Sequence, residues 1–379
     1  MNETARIDMR TGASISPTDP RIGGHGVSAP PALVAARICQ TYGDVNAVDD
    51  VSLSLAHGEI LALVGHSGSG KSSLLRAIAG LEHPQSGSIA IDGREVYGPN
   101  RFVPPERRGV GLMFQDYALF PHMTVLDNVK FGLGKFARPE ADRIALQAIE
   151  SVGLAALAGE YPHALSGGEQ QRVALARALA PAPSVILMDE PFSNLDRRTR
   201  DMVRDETITA LRRNRATAIL VTHDAEDAMR LADRIVLLRA GRVVQTGSAE
   251  ELYRRPTSLF VARFFSEFDE IEGTVSGGRA ESALGAFAAP GLADGVKATI
   301  CIRPNAVRLG RPGTGVDGHI VSRRFLGETD LLHIGVTGLA HPLHARIPAA
   351  IVAGEGDPVG VEITPDDIVV FAADQTGVR

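Results

Sequence analysis

The chain has 379 residues, 44% of them hydrophobic, with a formal net charge of −6, which is length for two domains and apolar material for a substantial core. That balance argues against the basic field that drives non-specific nucleic-acid binding, and Cys39 and Cys301 are too few and too far apart for a disulfide framework or a zinc site. No apolar run approaches the ~18 residues of a membrane helix and the N-terminus lacks a secretory pattern, so the expectation is a cytoplasmic chain held at a membrane only through partners.

Residues 1–31 are rich in Gly, Pro, Ser and Thr without apolar periodicity and read as a disordered leader. From Ala32 to Leu55, β-rich runs flank a turn at Tyr42-Gly43-Asp44 and predict an antiparallel sheet. The apolar run Ile60 to Val64 then meets Gly65-His66-Ser67-Gly68-Ser69-Gly70-Lys71-Ser72, and Leu74, Leu75, Ala77 and Ile78 follow. This reads as strand, phosphate loop and helix. Glycines let the backbone curl so that successive amide N–H groups point inward, at the positive end of the helix dipole. Lys71 can reach the β- and γ-phosphates of a nucleoside triphosphate, and the Ser72 hydroxyl can ligate Mg²⁺ bridging them. The blander reading is a glycine-rich turn with a chance lysine.

Beyond Gly80, Pro84 and Gly87, the run Ser88 to Ile91 with Asp92-Gly93 gives a strand and a tight turn, and the sheet is expected to continue through Val110, Leu112 and Phe114. From Tyr117 to about Ala180 the period is helical, an insert within an α/β domain. Val185 to Met188 and Ala218 to Val221 are wholly apolar, as parallel strands buried on both faces are. Helices at about 198–213 and 225–232 separate the strands, and Ile235 to Leu238 with Val243-Val244 reads as a closing hairpin. Leu259 to Phe265 form an amphipathic helix after Pro256, and short alternating runs from Ile271 onward predict a small β-barrel. The expected division is 1–31 leader, 32–250 nucleotide-binding domain, 251–270 linker helix and 271–379 β domain.

Ligands of open α/β sheets bind beyond the carboxyl ends of the strands. Three strands end in chemistry here: Val64 delivers the loop, Met188 delivers Asp189-Glu190, and Thr222 delivers His223. Asp189 can hold the Mg²⁺ shell, and Glu190 can orient or deprotonate the attacking water. His223 could bond the γ-phosphate, although it could equally be the residue before an Asp224 helix cap. Gln115 could reach Mg²⁺ or the water, or be an ordinary exposed amide. Leu165-Ser166-Gly167-Gly168-Glu169 opens a helix with the spacing of a capping box. Capping does not explain two glycines that each cost up to ~1 kcal/mol in a helix, so a close backbone approach is expected there. A symmetric dimer would place that helix end over the other chain's nucleotide.

In this order the motifs make the chain resemble the ATP-binding subunits of ATP-binding cassette (ABC) importers that carry a C-terminal regulatory domain. The resemblance implies an α/β phosphate-loop ATPase fold with an antiparallel β subdomain and a helical insert, followed by a small all-β, OB-like TOBE domain. It implies that Tyr42 stacks on adenine, that Gly65 to Ser72 with Ser73 form the Walker A loop, and that Gln115 is the Q-loop glutamine. Leu165 to Glu169 resemble the signature that contacts ATP across a dimer, Asp189 and Glu190 the Walker B pair, Ser193-Asn194-Leu195-Asp196 the D-loop, and His223 the switch histidine. ATP and Mg²⁺ follow as cofactors, with Ser72, Gln115 and Asp189 on the metal. His66, Glu169 and Asn194 depart from the commoner proline, glutamine and alanine.

Implied partners are a second copy, a membrane permease docking on Asp116 to His122, and indirectly a periplasmic substrate-binding protein, with no nucleic acid. The implied place is the cytoplasmic face of the inner membrane. Cys301-Ile302-Arg303-Pro304 and Phe325-Leu326-Gly327-Glu328 resemble the regulatory segment. Pro104-Pro105-Glu106-Arg107-Arg108, leading into Val110 to Val125, is most similar to ferric-iron importer ATPases, with polyamine importers next. The reading from a different class is a soluble cassette ATPase acting on DNA or ribosomes.

Overall fold

A computed structural model describes residues 30–349 and 354–373; all but the last two positions of the expected leader lie outside them. The N-terminal part opens with strands β1 (Leu33–Tyr42), β2 (Val45–Leu55) and β3 (Ile60–Val64) and helix α1 (Lys71–Ala79). Strands β4 (Ser86–Ile91), β5 (Arg94–Gly98), β6 (Arg101–Phe102) and β7 (Val110–Met113) lead to helices α2 (Val125–Lys130), α3 (Arg138–Ser151) and α4 (Gly167–Leu179). Then follow β8 (Val185–Asp189), α5 (Arg197–Arg213), β9 (Ala218–Thr222), α6 (Ala225–Leu231), β10 (Arg234–Arg239) and β11 (Arg242–Gly247).

These strands form two sheets. One is antiparallel, in the order β2-β1-β4-β5-β6; the other is β11-β10-β3-β9-β8-β7, parallel from β10 to β7 with β11 as an antiparallel edge. The expectation that the antiparallel sheet continues through Val110 and Leu112 is corrected: β7 pairs in parallel with β8, Val110 opposite Val185 and Met113 opposite Met188. Gly111 is what lets it lie there, since a Cβ would come within 2.7 Å of the Ala178 carbonyl of α4. Phe114 lies outside the strand and is exposed.

Every residue of β3 is buried, as a central strand covered on both faces requires. Leu61 and Leu63 join the core shared with α1 and the antiparallel sheet, whereas Ala62 and Val64 face Ala228 of α6. The insert helices bury Val129, Ile149 and Val173 against Ile186 and Met188 of β8. Each such side chain contributes roughly 1.5–3 kcal/mol. α1 starts at Gly70 and stops at Gly80, both in the left-handed region, and Arg108 donates to the carbonyls of Ala77 (2.8 Å) and Ile78 (2.9 Å) at its C-terminal end.

Two short helices, α7 (Ala249–Arg254) and α8 (Leu259–Phe265), stand where one linker helix was expected. Ser248 makes a capping box for α7 and Ser258 caps α8, and Pro256 between them prevents a continuous helix. α8 is buried on two faces: Val261 and Phe265 pack with Val64 and Leu237, while Leu259 and Ala262 pack with Cys301 and Phe371. The C-terminal part holds β12 (Asp269–Ser276), β13 (Arg279–Ser282), β14 (Gly285–Ala288), β15 (Lys297–Ile302), β16 (Val307–Gly310), β17 (Val316–Phe325), β18 (Thr329–Val336), β19 (Leu343–Pro348), β20 (Pro358–Ile363) and β21 (Ile368–Ala372). They make two antiparallel sheets, β14-β13-β12-β15-β21 and β16-β20-β17-β18-β19, over one core containing Ile300, Ile320, Leu332 and Ile334.

Candidate nucleotide site

Because β3, β9 and β8 are neighbours running the same way, their carboxyl ends bring the loop after Val64, His223 and Glu190 to one edge of the sheet. Val64 pairs with Thr222, and Asp189 with Val221. The loop needs its glycines. Gly65 has φ +151°, and a Cβ there would sit 2.4 Å from the Leu238 carbonyl oxygen; at Gly70, φ +100°, it would sit 2.0 Å from that of Ala47. Ser67 and Gly68 are exposed at the tip, and Ser73 lies in the first turn of α1.

Lys71 is 5% exposed, and its ammonium donates to the carbonyls of Gly65 (2.8 Å) and His66 (3.1 Å). Burial pushes its pKa below the ordinary value, against the pull of the Glu190 and Asp189 carboxylates. Ser72 Oγ donates to Asp189 Oδ1 at 3.0 Å. Burial raises the Asp189 pKa, opposed by that hydrogen bond and by Arg76 and Lys71. Ser69 Oγ is buried with no protein partner. A buried orphan hydroxyl, an ammonium and a hydroxyl–carboxylate oxygen pair suit a magnesium–triphosphate, since Mg²⁺ takes hard oxygen donors.

Glu190 has φ +45°, a left-handed conformation that costs a non-glycine residue roughly 1–2 kcal/mol. It is held there by its amide donating to the Val221 carbonyl (2.9 Å) and by Ser193 Oγ donating to its own carbonyl (2.9 Å). Its Oε2 lies 3.1 Å from His223 Nδ1. A cavity of about 40 Å³ lined by Glu190, Ser193, Thr222 and His223 has room for a water.

The other expected residues stand as follows. Gln115 is exposed beyond β7, and its carbonyl accepts from Asn194 Nδ2 at 2.9 Å. Tyr42 closes β1, half exposed, its hydroxyl donating to the Glu82 carboxylate, which pairs with Arg76 of α1 at 3.5 Å. Ser166 and Glu169 form a complete capping box at the start of α4, and Asp196 caps α5 through the amides of Arg198 and Thr199, both at 3.1 Å. Among the described residues, neither the segment 166–169 nor Asp196 makes a hydrogen bond to the phosphate loop. Gly168, one of the two glycines expected to meet an approaching ligand, is also close-packed within this chain. A Cβ there would meet Val203 Cγ2 at 2.9 Å and Thr199 Cγ2 at 3.2 Å, so the packing of α4 on α5 demands it. Gly167 is exposed, its Cβ position in ordinary contact with Leu195 at 3.4 Å.

Sequence reasoning missed Arg204. Buried on α5, it pairs with Asp227 of α6, with Asp201 (2.9 Å) and with Asp224 (3.4 Å), and Asp227 also accepts from Thr222 Oγ1 at 3.1 Å. The network brackets His223 and fixes the turn that carries it. An arginine in a charge-rich helix gives no pattern from which this could be read.

Residues 48–193 match the ABC transporter family and residues 300–371 the TOBE domain. The chain is 39% identical over 345 residues to the Fe(3+) ions import ATP-binding protein FbpC of Streptomyces coelicolor, a match covering 90% of this chain and 98% of that one. The chain belongs to the ABC transporter family, among its import ATP-binding proteins. Other such relatives are the putrescine transport ATP-binding protein PotG of Escherichia coli, 40% identical over 80% of this chain and 84% of that one, and the sulfate/thiosulfate import ATP-binding protein CysA 2 of Chromobacterium violaceum, 44% identical over 71% and 74%. Among solved structures, the dimeric ABC transporter cassette MJ0796 superposes with a TM-score of 0.50 at 32% identity, covering 57% of this chain and 98% of that one. The same cassette bound to ADP and Pi gives 0.50 at 31%. As an ABC ATPase the chain binds and hydrolyses ATP, and residues 300–371 of its C-terminal sheets are a TOBE domain.

Proposed function

We propose that this ABC ATPase drives uptake of ferric iron through a membrane permease, with residues 32–250 as the ATPase domain, 251–270 as the linker and 271–379 as the regulatory domain. The observation that carries the ATPase assignment is the pairing, beyond the carboxyl ends of β3, β9 and β8, of Ser72 with Asp189 at 3.0 Å and of Glu190 with His223 at 3.1 Å. Mg²⁺ bound by Ser72, Gln115 and Asp189 would supply charge neutralisation on the β- and γ-phosphates. Lys71, held by the carbonyls of Gly65 and His66, would meet those phosphates as a point charge. Glu190 would take a proton from the attacking water, with His223 fixing the carboxylate at Oε2. Tyr42 offers a half-exposed ring to the base.

Ser166 to Glu169 and Asp196 would meet the nucleotide of a second copy; the dimeric state of the MJ0796 cassette supports this. The permease would dock on Asp116 to His122, at the inner membrane's cytoplasmic face, and a periplasmic binding protein would act through it. No helix of the described residues is long and apolar enough to cross a membrane. At the docking loop, Tyr117 and Ala118 have φ +61° and +45°, and their carbonyls accept from Arg177 of α4 at 2.7 Å each. Phe120 packs on the exposed Phe131 at 4.5 Å between ring centroids. Tyr117 itself is buried and serves the core.

Ferric iron is supported by the length over which the Streptomyces coelicolor relative matches; putrescine is the second reading, supported by PotG. Uptake of labelled ferric iron, putrescine and sulfate is measured in cells lacking the chain and in cells complemented with it. Iron uptake alone should require it. Dependence of only putrescine or sulfate uptake overturns the ferric assignment, and dependence of none overturns all three cargoes, leaving an ATPase of another cargo.

A further inference from the structure

The phosphate loop carries one side chain that its phosphate chemistry does not use. The His66 ring lies 5.6 Å from that of Phe260 at 54° and 5.5 Å from that of Phe264 at 90°, both on α8. Aromatic rings attract at these separations in tilted and edge-on arrangements. Neither phenylalanine is loose. The Arg239 guanidinium lies 4.4 Å from the Phe260 centroid, and Phe264 packs edge-on at 5.1 Å against Phe265, which is buried with Ala62 and Val64 of β3.

The backbone of the same histidine organises the loop. The His66 carbonyl accepts the Ser69 amide at 3.1 Å and the Lys71 ammonium at 3.1 Å. The cation intended for the phosphates and the turn that precedes it therefore both rest on a residue whose ring is gripped from α8.

We propose that Phe264 and Phe260 are positioning residues for ATP: α8 fixes the His66 ring, and so sets the carbonyl that places Lys71 and Ser69 for the phosphates. This rests on the reading that the loop holds the phosphates of ATP. Since Leu259 and Ala262, on the other face of α8, pack with Cys301 and Phe371, one short helix connects the TOBE domain to the phosphate loop. Coupling of this kind is reciprocal, so bound ATP should also steady α8.

The test uses the purified full-length chain, titrated with a fluorescent ATP analogue and assayed for hydrolysis as wild type, F264L, F264Y, H66A and H66A/F264L. F264L keeps apolar bulk without the ring and should raise Kd and KM about 2- to 10-fold, the worth of an aromatic pair, with kcat unchanged. F264Y keeps the ring and should stay near wild type, and F264L should add nothing in the H66A background. Hydrogen exchange over residues 259–265 should slow with ATP in the wild type and not in H66A. Unchanged binding in F264L, equal damage in F264Y, or independent effects of H66A and F264L overturn the proposal while leaving ATP binding intact. A wild-type chain that bound no nucleotide would overturn the phosphate-loop reading and this proposal together.

Discussion

Glu190 combines a strained backbone with a carboxylate 3.1 Å from His223 Nδ1, and the strain is maintained by bonds from Ser193 and to Val221 that do not involve its side chain. Glu190→Gln should therefore keep the fold and ATP binding while losing the proton acceptor. Phosphate release should fall by about 10²–10⁴-fold, with the fluorescent-analogue Kd unchanged. Loss of both together would mean that Glu190 holds the site's shape instead. At this scale the phosphate loop was legible in the sequence because the bonds that shape its turn, from Lys71 to Gly65 and His66 and from Ser69 to His66, span six residues or fewer, so spacing encodes geometry. Arg204 was not, since Asp224 and Asp227 lie at the start of another helix and only folding brings them to it.

Among elements, α1 shows how a residue within a family-like motif can also carry a structural task. The run Pro104 to Arg108 resembles a mark of ferric-iron importers, yet Arg108 is 3% exposed and spends its donors on Val103, Ala77 and Ile78. Burial lowers its guanidinium pKa to about 10, but it remains charged at neutral pH. It closes the helix that begins at Lys71, so its presence follows from architecture before cargo. Arg108→Met should remove the donors to Val103, Ala77 and Ile78, of which Ala77 keeps, among the described residues, only the Gly80 amide at 3.2 Å, and cost about 1–3 kcal/mol, seen as a lower midpoint in urea unfolding. An unchanged midpoint would rule out the capping role. The helical insert, the parallel strands and the β domain were all legible from period and apolar runs. The side on which β7 pairs was not, because a four-residue strand fits either sheet and the choice depends on Gly111 against α4.

For the molecule as a whole, Asp233 joins three elements. It accepts from the Ile60 amide at the head of β3 and from Arg212 in the last turn of α5, both at 2.9 Å, just before β10. Burial pushes its carboxyl pKa up, but Arg212 and the Ile60 amide outweigh this and the net direction is down. A depressed carboxyl contributes stability that is present above its unfolded value, near pH 4, and is lost as pH falls through the lower folded value. Asp233→Asn should cost about 1 kcal/mol at pH 7, since the group is partly exposed and screened. The gap from wild type should close below the ordinary carboxylate range in acid unfolding curves; a gap independent of pH would show that charge is not its source.

The strand that delivers the phosphate loop is flanked by β9 and β10, with Ile60 opposite Ala218 and Leu61 opposite Arg234. Both neighbours are made long after it. During synthesis β3 and its loop leave the ribosome early and must wait for more than half of the ATPase domain before either edge is paired. Parallel pairing at such sequence separation is slow and leaves apolar edges open meanwhile. A chain stalled before residue 218 therefore has its phosphate-binding motif complete in sequence but unsupported in space, and chaperone demand should peak over that interval of translation.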